Sequence, residues 1–494
     1  MASRKDLLKA QSFITGRLSS SFIDRDPDNP TRPLKRVTTG TFVGIMIGVL
    51  IVAGCGLFGF IRPGSGTLDE KGTLVTDVSS GLLFIYYVSE KDGPVLMPMA
   101  DIASARLAMG SADISVVKTS RLQGITQDTM RGIPDAPRQL PSNTQMNPYP
   151  LRTCSTKPNS NDQRYITVEA GPADGSVPTT TAADDVAAVI ETVEPQNAGN
   201  QFLVVNGVAH KLWRNSSGRA PAASTLPVLK AGDAWLASLP IGLPVEPLPI
   251  NNRGGTPSSN QAQSDLRIGS VAMVEATEVN PQPRYFVQLE DGLAETSFLN
   301  MATELAYFDT TKTDPTKITP EAAEKATSLR NPVLKTEGIP MERPAAPESR
   351  DASASICATY VDPSANAGRT TPVITLGQTT PSLPKRVTDQ PPSRAYADYI
   401  KMPSLNGVLL QDESIPVGNS SHGPTFLLSD SQVYGIPDAA SREALGYNVS
   451  GKNSVKVLRV PSYMTKLLGE AKVKLSASEI SPTLPADFKK DAPA

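Results

Sequence analysis

Residue types that could carry chemistry are scarce in this chain. Its 494 residues include two histidines, His210 and His422, and three cysteines, Cys55, Cys154 and Cys357. Two imidazoles exclude a multi-histidine metal centre, and three thiols exclude zinc ribbons and iron–sulfur clusters. The run Gly446-Tyr447-Asn448-Val449-Ser450-Gly451-Lys452-Asn453 nearly spells a phosphate-binding loop. That motif needs Ser or Thr after its Lys to ligate magnesium, and it must follow a strand and open a helix. Here Asn453 holds the hydroxyl's place and a helix-period stretch precedes the loop. Ser421-His422 sits in a Gly/Asn/Ser segment that is no nucleophile elbow. His210 reads as a structural residue on a return strand. The acid pairs Glu290-Asp291 and Asp184-Asp185 fall in turns and linkers, where solvation accounts for them. These residues indicate no catalytic site, no cofactor and no metal, so the reading leans away from an enzyme without closing that class.

Composition narrows the class further. Lys plus Arg number 47 and Asp plus Glu 49, so no global field favours nucleic acid. With Gly 36 and Pro 44, the chain is rich in turn residues, which suits several small lobes better than one large core.

Residues 41–61, TFVGIMIGVLIVAGCGLFGFI, contain no charge and no proline. A helix of that length spans roughly 31 Å, the thickness of a hydrocarbon core, and it shows no polar stripe. The segment reads as a transmembrane helix. Before it stand eight basic and four acidic residues, with Lys35 and Arg36 close to the membrane. The positive-inside rule then leaves the N-terminus cytoplasmic and exports everything from Arg62 onward. Cys55 sits in a Val-Ala-Gly-Cys sequence resembling a lipid-attachment site, but the apolar run continues past it, so it reads as a span residue. Cys154 and Cys357 fall in an oxidising compartment, where pairing is the default. Gly40, Gly44 and Gly48 recur every four residues and would line one helix face with small residues, suited to close helix–helix approach. Upstream, Leu7, Ile14, Leu18 and Phe22 share one face of a predicted amphipathic helix. Such a face either lies on lipid or docks onto a cytoplasmic partner, and a partner is expected.

The exported part repeats a pattern. Apolar runs at 82–110, 202–212, 285–308 and 426–447 each meet a turn signal, a short return segment and, in three of four cases, a helix-period stretch. In the second copy the stretch after Trp213 is polar and Ala-rich, and its first helix is expected to be missing. Each unit ends in a short extended segment followed by a small helix. Strand-like segments at 164–168 and 395–410 are expected to build a central sheet. The resulting division is a cytoplasmic arm (1–40), the span (41–61), a first lobe (62–145), a core segment (146–199), second and third lobes (200–255 and 256–345), a second core segment (346–420), a fourth lobe (421–475) and a tail (476–494). The fold class is α+β: a single N-terminal transmembrane helix, then an elongated exported region with a central β core and four small strand-turn-strand-helix lobes.

This layout resembles EccB, the membrane component of actinobacterial type VII (ESX) secretion systems. The resemblance rests on Phe13-Ile14-Thr15-Gly16-Arg17-Leu18 with Arg25-Asp26, on Pro33-Leu34 before a Gly-rich span ending Arg62-Pro63-Gly64, on Gly132-Ile133-Pro134-Asp135-Ala136-Pro137-Arg138-Gln139-Leu140-Pro141, and on 426–447. The family often has Trp shortly before its first exported cysteine, where Pro150-Leu151-Arg152-Thr153 stands here. The resemblance implies a structural subunit whose exported domain joins the periplasmic part of a secretion complex. It also implies assembly with an EccC-like FtsK/SpoIIIE ATPase, EccD and EccE, and lobes similar to phage-lysin cell-wall-binding modules. Self-association is expected, and whether the lobes touch the cell wall is left open by the sequence. The competing class is a membrane-anchored wall-binding protein, or a wall-active enzyme or ATPase.

Overall fold

The computed structural model describes residues 4–23, 41–47 and most of 68–488, with interruptions of which the longest are 172–186 and 346–354. Gly40, Gly48, Cys55, His422 and the rest of the predicted span, 48–61, lie outside the described residues. Among the described residues no helix is long and apolar enough to cross a membrane. Within the span, 41–47 is helical and its side chains are exposed.

The described residues of 68–488 form a mixed α+β assembly of five small sheets. Four of them share one topology. In the first, Thr73–Asp77 pairs antiparallel with Leu83–Ser89, which turns into Gly93–Met99, and Ser115–Val117 then joins Thr73–Asp77 in parallel. The second repeats this with Ala188–Thr192, Gln201–Val205, Val208–Lys211 and Val228–Ala231. The third uses Val271–Val274, Arg284–Gln288, Leu293–Thr296 and Thr316–Lys317. The fourth uses Gly407–Asp412, Thr425–Ser429, Gln432–Ile436 and Val457–Val460. After each parallel strand a short helix follows: Thr119–Leu122, Asp233–Ala237, Pro320–Lys325 and Ser462–Leu467. The chain then runs back along the hairpin's outer strand, bridging in parallel at Met99↔Arg131, Ala209↔Ile241, Leu293↔Thr327 and Gly435↔Lys474. This return closes an edge that would otherwise present unpaired backbone groups.

Local chemistry explains these elements. The second hairpin turns on Asn206 and Gly207, both at positive φ (52° and 73°), the twist a two-residue hairpin requires. The helix Ile102–Met109 starts on Asp101, whose carboxylate accepts the Ser104 N–H (2.7 Å), and stops at Gly110 in the left-handed region. Ala439–Ala444 starts the same way on Asp438, which accepts from Ser441 (2.7 Å). The corresponding helix of the third sheet, Phe298–Phe308, starts after Ser297, whose hydroxyl accepts the Asn300 N–H (3.1 Å). Between Lys211 and Val228 no α-helix occurs among the described residues. Instead Leu299 and half-buried Phe298 of the third sheet's helix enter the apolar core of the second, beside Leu203, Leu212 and Val245.

The fifth sheet is central, ordered Val373–Leu376, Ile356–Tyr360, Leu151–Thr156, Tyr165–Ala170, Tyr399–Lys401. One of its faces, through Leu151, Ile166, Val168 and Ile374, shares a core with the second and fourth sheets. The first and fourth share another core, where Ile85 and Met97 join Leu409, Leu427 and Leu445.

Three expected boundaries move. Residues 395–410 do not form one strand: Tyr399–Lys401 joins the central sheet and Gly407–Asp412 the fourth. Pro403 and the positive φ of Leu405 (66°) break the run between them. The second sheet begins before residue 200, because Ala188–Thr192 pairs with Gln201–Val205. Leu248 belongs with the third sheet's core, beside Val271 and Tyr285, so that lobe begins before 256. In the tail, Ser481 pairs with Gly132 and Phe488 meets the Tyr87 ring edge-on at 5.4 Å.

Candidate functional site

The residues singled out in the sequence fall in three separate places. Cys154 and Cys357 meet in the central sheet. They are directly opposed in register, their Cα atoms lie 4.1 Å apart, and they are joined as a disulfide across 203 residues of sequence. Both are buried. The same face carries a buried ion pair between Arg152 and Glu169, and Lys401 Nζ reaches the second Glu169 oxygen at 3.2 Å. The opposite face is tied to the second lobe: Trp235 Nε1 donates to the Thr153 carbonyl (3.1 Å) and the Tyr360 hydroxyl to the Ser238 carbonyl (3.2 Å). Burial, and secondarily the Glu413 carboxylate, hold the Tyr360 phenol far above its ordinary range, so it stays a donor at any working pH. Trp235, Tyr360, Arg152 and Glu169 escaped the sequence reading. Only Trp235, one of two tryptophans and set in a short apolar helix, carried a signal.

The arm forms a single helix, Arg4–Ile23. Leu7, Ile14 and Leu18 are 65%, 57% and 53% exposed, and the side chain of Phe22 lies outside the description. Arg17 stacks over the Phe13 ring at 5.5 Å. Association with another helix or with lipid would remove this exposed apolar area from water. Gly44 lies on the helical stretch 41–47, and a Cβ there would meet nothing within 4 Å among the described residues.

The near-phosphate loop follows the helix Ala439–Ala444 rather than a strand. Tyr447 is buried, its hydroxyl donating to the Pro141 carbonyl at 3.0 Å. Past the loop, Lys456 is taken up by Asp362, whose carboxyl it holds down at about 2. These groups are spent on fixing the fourth lobe to its neighbours.

A cleft of about 1,060 Å³ opens between the second and fourth lobes where the helices Asp233–Ala237 and Ser462–Leu467 meet. Phe202 and Phe426 occupy equivalent hairpin positions on its two walls, with Lys211, Lys466, Asp233 and Asp412 around them. Charges of both signs interleave there, and the lining selects no single ligand class. A second cleft, about 810 Å³, separates the second and third lobes.

A family model described as "Type VII secretion system ESX-1, transport TM domain B" matches residues 1–471. The ESX-1 secretion system ATPase EccB1 of Mycolicibacterium smegmatis (strain MKD8) is 27% identical over 292 residues, 57% of this chain and 57% of that protein. The ESX-3 secretion system ATPase EccB3 of another strain of that species is 27% identical, over 57% of this chain and 53% of its own length. The chain therefore spans little more than half the length of these curated relatives. Among solved structures, the EccB3 dimer from the ESX-3 core complex superposes with a TM-score of 0.56 at 20% identity, covering 82% of this chain and 99% of that one. A chain of an intact ESX-5 inner membrane complex gives 0.54 at 20% identity, covering 100% and 98%. At that identity the likeness speaks for the fold.

Proposed function

The chain belongs to the EccB family of type VII secretion components, and from that premise we propose that it is a structural, membrane-anchored subunit of an ESX secretion complex. The family match from residue 1 to 471 carries this reading, because it takes in the arm, the span and the lobes together. In the proposed topology 41–61 crosses the plasma membrane once, the arm is cytoplasmic and the lobes stand outside. The four sheets of common topology are copies of one repeat, arranged around the disulfide-closed central sheet. Gly40, Gly44 and Gly48 pack against another helix of the complex, and the bare face of Leu7, Ile14, Leu18 and Phe22 docks on a cytoplasmic partner. The partners are an EccC-like FtsK/SpoIIIE ATPase, EccD, EccE and further copies of the chain, with the lobes in reach of the cell wall.

The role is one of scaffold rather than catalyst. Although the curated relatives are named ATPases, the loop at 446–453 departs from the phosphate-binding pattern in both residue and context. Isolation from membranes in mild detergent tests the proposal. An FtsK-like ATPase should accompany the chain. Recovery of the chain alone, or ATP hydrolysis by the chain alone, would contradict it.

A further inference from the structure

His210 lies on the return strand Val208–Lys211, where it is 1% exposed. Its ring is enclosed by two glycines from different parts of the chain. A Cβ on Gly242 would fall 2.2 Å from Cε1, so the second lobe's own backbone lies flat against the ring. On Gly338, at a φ of +82°, a Cβ would come within 3.2 Å of the same atom. Gly338 belongs to a strap that runs back from the third lobe. Thr336 bonds Asn300 of the helix Phe298–Phe308, its N–H donating to Oδ1 (3.0 Å) and its hydroxyl accepting from Nδ2 (2.9 Å). Three residues on, Ile339 is buried in the second lobe's core beside Leu212 and Val245. The imidazole therefore sits where the third lobe's strap closes on the second lobe.

Its hydrogen bonding makes that closure sensitive to protons. Nδ1 lies 2.8 Å from the Leu243 carbonyl, which fixes it as the N–H nitrogen of the neutral ring. Nε2 is buried and has no hydrogen-bond partner among the described residues. A proton there would create a buried charge and a donor with no acceptor, which is costly while the strap is shut and cheap once water enters. Charged neighbours offer no relief. Lys211 lies on the other side of the strand and lines the cleft toward the fourth lobe. Glu246 follows the Gly242–Leu243 loop, and Lys335 and Glu337 precede Gly338, with Lys335 Nζ 3.5 Å from the Ile339 carbonyl. The influences on the ring are burial, which lowers its pKa, and the opposing Leu243 carbonyl.

We propose that His210 is a proton-operated latch: protonation of Nε2 releases the strap around Gly338 and Ile339 and loosens the junction between the second and third lobes. The sign follows from linkage. The closed form prefers the neutral ring and the open form has an ordinary imidazole near 6.5, so closure is complete above that pH and weakens as pH falls below it. Between the two values opening should gain about tenfold per pH unit.

With only two histidines in the chain, the test can use the full-length protein in detergent with 13C-labelled imidazoles, His422→Gln assigning the two signals. His210 should titrate below 6.5. Between pH 6.5 and 5.5, hydrogen exchange across 334–341, corrected for intrinsic rates, should quicken by up to about fivefold while 284–296 stays protected. His210→Asn keeps an N–H for Leu243 but cannot take a proton, and it should abolish the acid response. Gly338→Ala, with a Cβ 3.2 Å from the ring at a left-handed backbone position, should displace the strap, raise the His210 titration toward about 6.5 and weaken the pH dependence. Acid quickening that survives in His210→Asn would overturn the latch. So would a wild-type strap unmoved while the imidazole titrates, or a His210 titration unchanged in Gly338→Ala.

Discussion

At the scale of single residues, the central sheet depends on one covalent bond and a few directed hydrogen bonds. Cys154 and Cys357 join segments 203 residues apart with the second and third lobes inserted between them. Linking so distant a pair restricts the unfolded chain strongly, and the entropy model gives on the order of 5 kcal/mol for loops of this class. Cys154→Ser with Cys357→Ser should therefore lower the thermal midpoint of the exported lobes by many degrees, read by calorimetry, and reductant should no longer affect it. An unchanged midpoint would mean that packing alone holds the sheet. The cysteines were legible in the sequence because an exported chain with two remaining thiols has little else to do with them. Arg152 and Glu169 were not, because neither β-strand spacing nor composition reveals that two charges 17 residues apart face each other on adjacent strands.

Secondary elements were legible in proportion to their length. The hairpins announce themselves by apolar runs of five to seven residues around a turn, as Leu83–Ser89 does before Lys91-Asp92-Gly93. The parallel edge strands are as short as Thr316–Lys317, and the returning bridges involve isolated residues, so no periodicity can mark them. The opening strands Thr73–Asp77 and Ala188–Thr192 were missed because each lies well apart from its hairpin's turn. The D-x-x-S caps at Asp101 and Asp438 were a visible repeat signal that the apolar pattern overshadowed. The long helix Phe298–Phe308 does double duty, covering its own sheet and filling the second lobe where no helix follows the hairpin. Leu299→Ala should cost about 2–5 kcal/mol, with hydrogen exchange rising in 201–211 as well as in 284–296. A loss confined to the third sheet would contradict the shared core. In the proposed membrane segment, Gly44→Leu with Gly48→Leu should weaken helix approach, leaving less of the intact complex after detergent extraction while the Cys154–Cys357 disulfide still forms. Full recovery of the complex in that variant would make the glycines incidental.

At the scale of the molecule, the lobes are joined in a chain of shared cores: the first with the fourth, the fourth and second through the central sheet, and the second with the third. Such an arrangement packs each lobe against the next, and the described surfaces offer clefts and exposed apolar side chains. A cysteine placed at Ser65 should react with an impermeant label from outside the cell and one at Ser20 should not; the reverse pattern would invert the proposed topology. The central claim is that this architecture exists to be assembled. Blue-native electrophoresis of membranes solubilised in mild detergent tests it most directly, with the chain followed by a C-terminal tag. The chain should migrate far above the mass of one molecule, and the large band should vanish when the FtsK-like ATPase is deleted. Migration as a single chain, or a large band indifferent to that deletion, would contradict the account.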